Sequence, residues 1–262
     1  MDRHLRRLIA FPCAGDTLVG TLDEGSGNTG LLIVSGGNEV RMGAHRGMAS
    51  LAARLAATGT PVFRYDRRGV GDSTGENHGF LESAPDIAAA AATFAAEAGI
   101  RRLVAFGNCD AATALALFHG VAGIDALVLA NPWVVGSGDD LPPAAAIRAR
   151  YAERLRDPRQ WARLVSGGIN LRKLYSGLSK IFANQSEADS ALTQRFVEAL
   201  DGIATPVTIL LASRDATALA FMDAIRAVKI RAVIQTLDTA SHSFAREADQ
   251  AALESILRGV LA

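Results

Sequence analysis

The chain has 262 residues, room for one domain with a modest insertion. Hydrophobic residues make up 49% of it, and 27 basic residues balance 27 acidic ones, so no basic stripe points to nucleic acid and no acidic tail to disorder. Two cysteines, Cys13 and Cys109, are too few for a disulfide framework or a metal site. The basic start, Met1 to Arg7, leads into an apolar run broken at Pro12, Gly15 and Asp16, too short for a signal-peptide core or a membrane span. The expectation is a soluble cytoplasmic protein with no integral membrane segment. Its oligomeric state is not written in the sequence.

In chain order, Leu5–Phe11 and Thr17–Asp23 read as strands joined by a turn. Gly25-Ser26-Gly27-Asn28-Thr29-Gly30 fits the G-x-G-x-x-G spacing, but a strand follows it. No helix N-terminus is there to hold a pyrophosphate, so this stretch reads as a loop and no nucleotide cofactor is expected. Leu31–Val34 is a continuous apolar run, as in a strand buried on both faces, and ends in Ser35-Gly36-Gly37-Asn38. Glycines there let backbone N–H groups approach a ligand. His45–Thr58 reads as a helix and Pro61–Tyr65 as a strand that runs into Asp66-Arg67-Arg68-Gly69-Val70-Gly71-Asp72-Ser73. A helix is expected over Ala84–Ala98.

Leu103–Phe106 reads as an apolar strand, and Gly107-Asn108-Cys109-Asp110-Ala111 as a tight turn into a helix of small residues. Ala126–Ala130 is a further buried strand, ending at Asn131-Pro132-Trp133. Residues 133–200 change character: they hold both tryptophans, two of the three tyrosines and many arginines, and read as a helical lid. The strand Val207–Leu211 then ends at Ser213-Arg214-Asp215, a helix is expected over Ala216–Val228, and the strand Ala232–Leu237 precedes His242. Glu247–Leu261 reads as the closing helix. Strands alternating with helices predict an α/β fold with a doubly wound, mostly parallel sheet, its core formed by residues 1–132 and 201–262. In such sheets function gathers at the carboxyl ends of the strands. Cys109, Asp215, His242 and the Gly36–Asn38 turn all fall there.

The turn at Cys109 matches a nucleophile elbow, with cysteine at the apex and alanine at 111 where glycine is usual. A strand that reverses into a helix within about one residue needs small neighbours two positions away. The helix N-terminus behind the apex favours an anion, so a thiol placed there is expected to react as its thiolate. The same cysteine also reads as a small buried residue after a core strand. Asp215 also reads as the N-cap of the following helix, a role compatible with catalysis. Asp238 is its nearest rival, but is close in sequence to His242. Trp133, Trp161 and Tyr175 read as core or as substrate contacts, and Arg41, Arg46 and Arg67 hint at an anionic substrate. Asp66, Arg68 and Asp72 read as braces for a loop beside the site.

Together the Ser35–Asn38 turn, the Asp66-x-Arg68-Gly69-x-Gly71-x-Ser73 segment, the elbow, and the chain order nucleophile, acid, histidine resemble the α/β-hydrolase superfamily. More narrowly, the cysteine elbow and Gly36-Gly37-Asn38-Glu39-x-Arg41 resemble the first of two hydrolases associated with the exosortase A system. The resemblance implies a triad of Cys109 as nucleophile, His242 as base and Asp215 as its orienting acid. It also implies an oxyanion hole from the backbone N–H groups of Asp110 and of Gly37 or Asn38. The implied activity is hydrolysis or transfer of an acyl group from a small-molecule ester or thioester, with Arg41 and Trp133 as candidate substrate contacts and no metal. The other reading is a binding or scaffold protein on a hydrolase fold that has lost activity.

Overall fold

The computed structural model describes residues 5–134 and 187–262. It opens with an antiparallel hairpin, β1 (Arg6–Cys13) and β2 (Asp16–Asp23), in which Cys13 sits opposite Asp16. The other strands are β3 (Thr29–Val34), β4 (Val62–Tyr65), β5 (Arg102–Asn108), β6 (Ala126–Ala130), β7 (Val207–Ala212) and β8 (Val233–Leu237). They form one sheet in the order β1-β2-β4-β3-β5-β6-β7-β8. β2 meets β4 antiparallel, and every pairing from β4 through β8 is parallel. The expected mostly parallel α/β sheet is therefore present.

The helices are α1 (Gly47–Ala56), α2 (Ala84–Ala98), α3 (Asp110–Phe118), α4 (Glu187–Asp201), α5 (Ala216–Ala224) and α6 (Glu247–Leu261). Strand alternation divides the core into two layers. Leu31 and Ile33 of β3 face Leu51 and Leu55 of α1 and Leu253 and Leu257 of α6. Leu32 and Val34 face the layer built by Ile87 and Phe94 of α2, Leu115 of α3 and Phe221 of α5. Because the central strands are covered on both sides, they read as unbroken apolar runs.

Two helix limits differ from expectation. α1 begins at Gly47, because His45 and Arg46 take left-handed φ values of 52° and 59° and break the helical run. α5 ends at Ala224, before the expected 228, where the chain turns out toward solvent and leaves Val228 40% exposed. The expected lid, Trp161 and Tyr175 included, lies mostly outside the described residues. Its last part is α4, and there Phe196 and Leu200 are buried in the core. Phe196 meets Phe221 edge-on, with ring centroids 5.5 Å apart.

Charge is also buried near the hairpin. Asp23, with no exposed surface, accepts from Arg6 Nε at 2.7 Å and from Arg64 Nη2 at 2.8 Å. Arg64 is 2% exposed and donates through Nη1 to the Arg41 carbonyl at 2.8 Å. A buried guanidinium that loses its carboxylate stays desolvated without compensation, so Asp23→Ala is expected to cost about 3–5 kcal/mol. Urea denaturation measures this, and an effect under about 1 kcal/mol would show that the pair does not brace the sheet.

Candidate active site

The register of the sheet brings the candidate groups to one edge. Val34 lies beside Gly107, Asn108 beside Ala130, and Ala212 beside Leu237. The turn after β3, the elbow after β5, Asp215 after β7 and His242 after β8 therefore leave the sheet at its carboxyl edge.

Cys109 takes φ 62° and ψ −127°, a conformation that costs an L-residue on the order of 1–3 kcal/mol. It persists because the reversal is fixed from both sides. Cys109 N–H donates to the Ala130 carbonyl at 3.0 Å, and the Cys109 carbonyl accepts from Trp133 N–H at 3.2 Å. Behind the apex the chain closes on itself. A Cβ on Gly107 would lie 2.8 Å from the Ala111 backbone carbon, while the Ala111 methyl is itself fully buried. So position 107 has to be glycine, and the alanine at 111 fits.

His242 sits in the irregular loop between β8 and α6. Its Nδ1 lies 3.0 Å from Asp215 Oδ2. The same oxygen caps α5, accepting from Thr217 N–H at 3.0 Å and Ala218 N–H at 3.1 Å. The two roles weighed for Asp215 are thus filled by one carboxylate oxygen. Burial works against the Asp215 charge, but the hydrogen bond and charge of His242 and the two capping N–H groups outweigh it and hold the acid below its ordinary range. His242 is raised to about 10, first by the Asp215 hydrogen bond and then by Cys109, with burial opposing. Cys109, Asp215 and His242 are therefore brought together. Asp238 is not part of this group; it is 87% exposed and pairs with Arg214.

The Gly36–Asn38 loop is braced from below. Arg67, 4% exposed, donates to the Gly37 carbonyl, and Asn38 Oδ1 accepts from Asn77 Nδ2 at 2.8 Å. Gly37 N–H donates to Asp110 Oδ1 at 2.7 Å. One of the expected oxyanion donors is thus already engaged, by the side chain of Asp110, a residue expected to supply another. Trp133 is half-buried beside the elbow, and its carbonyl accepts from Thr113 Oγ1 at 2.6 Å.

Arg41, a candidate anion contact, has its polar groups engaged within the protein. Its guanidinium donates to Asp66, lies 2.8 Å from Asp72, and reaches Thr21 Oγ1 at 3.0 Å; its backbone N–H reaches Asp66 Oδ1 at 2.6 Å. The side chain is 14% exposed and ties the loop after β3 to the loop after β4. Asp72 and the fully buried Asp66 thus brace the loop, as expected. Arg68, likewise expected as a brace, holds Asp86 at 2.6 Å. Two residues that sequence reasoning missed are Asn108 and Asn131, which donate to the His242 carbonyl at 3.0 and 3.3 Å. Their only signal is a polar side chain at the end of a buried strand. Among the described residues no group of His, Cys, Asp and Glu side chains could hold a metal ion, and no helix is long and apolar enough to cross a membrane.

Gly107→Ala is expected to force the elbow apart and cost about 1–3 kcal/mol, read from urea unfolding, with loss of Cys109 reactivity. The imidazole carries a pH dependence of known sign. Because the fold holds it above 6.5, its contribution to stability is full below about that pH and fades as pH rises to about 10. The difference in urea midpoint between wild type and His242→Gln should therefore be largest near pH 6.5 and close by about pH 10. A difference that grows with pH would contradict the His242–Asp215 pairing.

Comparison with known proteins agrees with the fold. No curated protein sequence matches the chain. Solved structures do match in fold. An esterase of Pyrococcus furiosus is 16% identical with a TM-score of 0.64, over 98% of this chain and 90% of that one. A thioesterase domain from the curacin biosynthetic pathway is 15% identical with a TM-score of 0.62, over 97% and 99%. A haloalkane dehalogenase of Agrobacterium tumefaciens is 15% identical with a TM-score of 0.63, over 98% and 96%. The model of the alpha/beta hydrolase family matches residues 31–254, so the chain belongs to that family.

Proposed function

We propose that this chain is a cysteine-nucleophile acyl hydrolase or acyltransferase acting on an ester or thioester. The observation that carries the reading is the 3.0 Å contact between Asp215 and an imidazole whose charge is supported by Cys109. With Nδ1 on Asp215, Nε2 is left to serve the sulfur and the leaving group. The Cys109 thiolate attacks the acyl carbon and a C–S bond forms. The carbonyl oxygen becomes an oxyanion, held by Asp110 N–H and by Gly37 or Asn38 N–H. To engage Gly37 it displaces the Asp110 carboxylate. Collapse breaks the bond to the leaving oxygen or sulfur, which takes the imidazolium proton. Water or a second acceptor then gives its proton to His242 and attacks the acyl-enzyme, releasing the acyl product and the thiolate. Trp133 borders the acyl group. The resemblance of Gly36–Arg41 and the cysteine elbow to exosortase A system-associated hydrolases supports a role in exopolysaccharide-linked metabolism. Two free cysteines suit the cytoplasm.

One observation favours the inactive-scaffold reading: the carboxylate already sitting on Gly37 N–H. A covalent acyl adduct on Cys109, seen by intact mass, removes it.

Cys13 supplies an internal control. It is buried against Asp86 at 3.4 Å, and burial and that carboxylate push its thiol up to about 11. Iodoacetamide should therefore label Cys109 at least about 100-fold faster than Cys13. Cys109→Ala should abolish the burst and turnover of p-nitrophenyl acetate. Equal labelling of the two cysteines, or turnover retained in Cys109→Ala, would overturn the reading.

A further inference from the structure

The residues from Thr239 to Arg246 make no helix or strand, yet they must present an imidazole to a sulfur on another strand. Local bonds shape this loop: Ser241 N–H donates to Thr239 Oγ1 at 3.0 Å and Ala245 N–H to Ser241 Oγ at 2.9 Å. Arg214 N–H also donates to the Thr239 carbonyl at 3.0 Å, and Phe244 is buried in the core. The backbone of residue 242 itself is held by two carboxamides. Asn108, immediately before Cys109, donates Nδ2–H to the His242 carbonyl at 3.0 Å. Asn131, the first residue after β6, donates Nδ2–H to the same carbonyl at 3.3 Å and to Asn108 Oδ1 at 3.0 Å. Its Oδ1 accepts from Ala212 N–H at 2.8 Å, and its own backbone N–H donates to the Leu210 carbonyl at 2.9 Å.

Asn131 has no exposed surface and a left-handed φ of 42°. The direction of its amide is fixed by its partners, because a backbone N–H only donates and a carbonyl only accepts. A carboxamide in a dry interior is tolerated only when its groups are paired, and here they bridge three strand ends. Ala212 stands three residues before Asp215, Asn108 stands before Cys109, and the His242 carbonyl belongs to the base itself. An apolar residue would fill the space and bridge nothing. Asparagine is also among the few side chains that accept a left-handed φ without large strain.

We propose that Asn131, working with Asn108, is a positioning residue that sets the distance between the His242 imidazole and Cys109. This rests on the nucleophile reading above. Neither side chain touches substrate; both act through the backbone of residue 242.

The test uses the full chain and compares wild type, Asn131→Asp, Asn108→Ala and His242→Ala. Three quantities are read: the pH profile of Cys109 alkylation by iodoacetamide, kcat and KM on p-nitrophenyl acetate, and the urea midpoint. Asn131→Asp keeps the size, the left-handed preference and the acceptor for Ala212, but replaces both Nδ2–H donors with an oxygen facing the His242 carbonyl. It should lower kcat and the alkylation rate by about tenfold or more with KM within about twofold, because small misplacements of a reacting group are costly. Its alkylation profile should move toward that of His242→Ala. Asn108→Ala leaves one donor in place and should lose about threefold. A folded Asn131→Asp with wild-type kcat and pH profile overturns the proposal. If that variant does not fold, Asn108→Ala decides, and an unchanged profile there overturns it. Wild-type alkylation no faster than that of His242→Ala overturns the nucleophile reading and this proposal with it, whereas fast wild-type alkylation with insensitive asparagine variants overturns this proposal alone.

Discussion

The reversal of the chain at Cys109 is the constraint on which the site depends. A buried strand has to become a helix without a loop between them, and this is feasible only if nothing but hydrogen projects from position 107 toward Ala111. The backbone strain at the apex is held by the bonds from Ala130 and Trp133. Removing the strain would need a longer turn, and a longer turn would withdraw residue 109 from the amides around it. The local cost is thus inseparable from the geometry, as is common where a backbone is held for chemistry.

Around that turn, the loops at the sheet edge are held by polar contacts as well as by packing, such as that of the buried Phe244. Asp66 and Arg67 hold the loop after β3, Asp215 caps one helix while facing the imidazole, and the asparagines attach the backbone of residue 242. Loops cannot bury alternating apolar faces as strands do, so directional bonds to the rigid sheet take over. The layers beneath, built from leucine, isoleucine, phenylalanine and alanine, supply the stiffness that makes such bonds useful.

Much of this was open to reading in the residues. The limits of α2 and α6 follow from periodic apolar positions, and β6 from its uninterrupted run. Cys109, Asp215 and His242 stand out because each follows a strand at the edge where such sheets do chemistry. The internal partners of Arg41 were not legible for a physical reason: an arginine near a strand end looks the same in sequence whether its guanidinium is free or tied. Its partners, Thr21 and Asp66, lie 20 and 25 residues away and reach it only through the fold. Asn131 hid in the same way, since its partners belong to β5, β7 and the loop after β8. The break before α1 depends on two left-handed residues, His45 and Arg46, that no periodic pattern announces.

The placement of the second sulfur has a chemical consequence. Cys13 lies on β1 and Cys109 follows β5, four strand positions across the sheet. At about 4.8 Å per position the two are about 19 Å apart, well beyond the span of a disulfide. If an oxidant converts Cys109 to a sulfenic acid, this chain has no resolving thiol to trap it, so recovery depends on glutathione or another protein's thiol, and over-oxidation to the sulfinic acid is the competing fate.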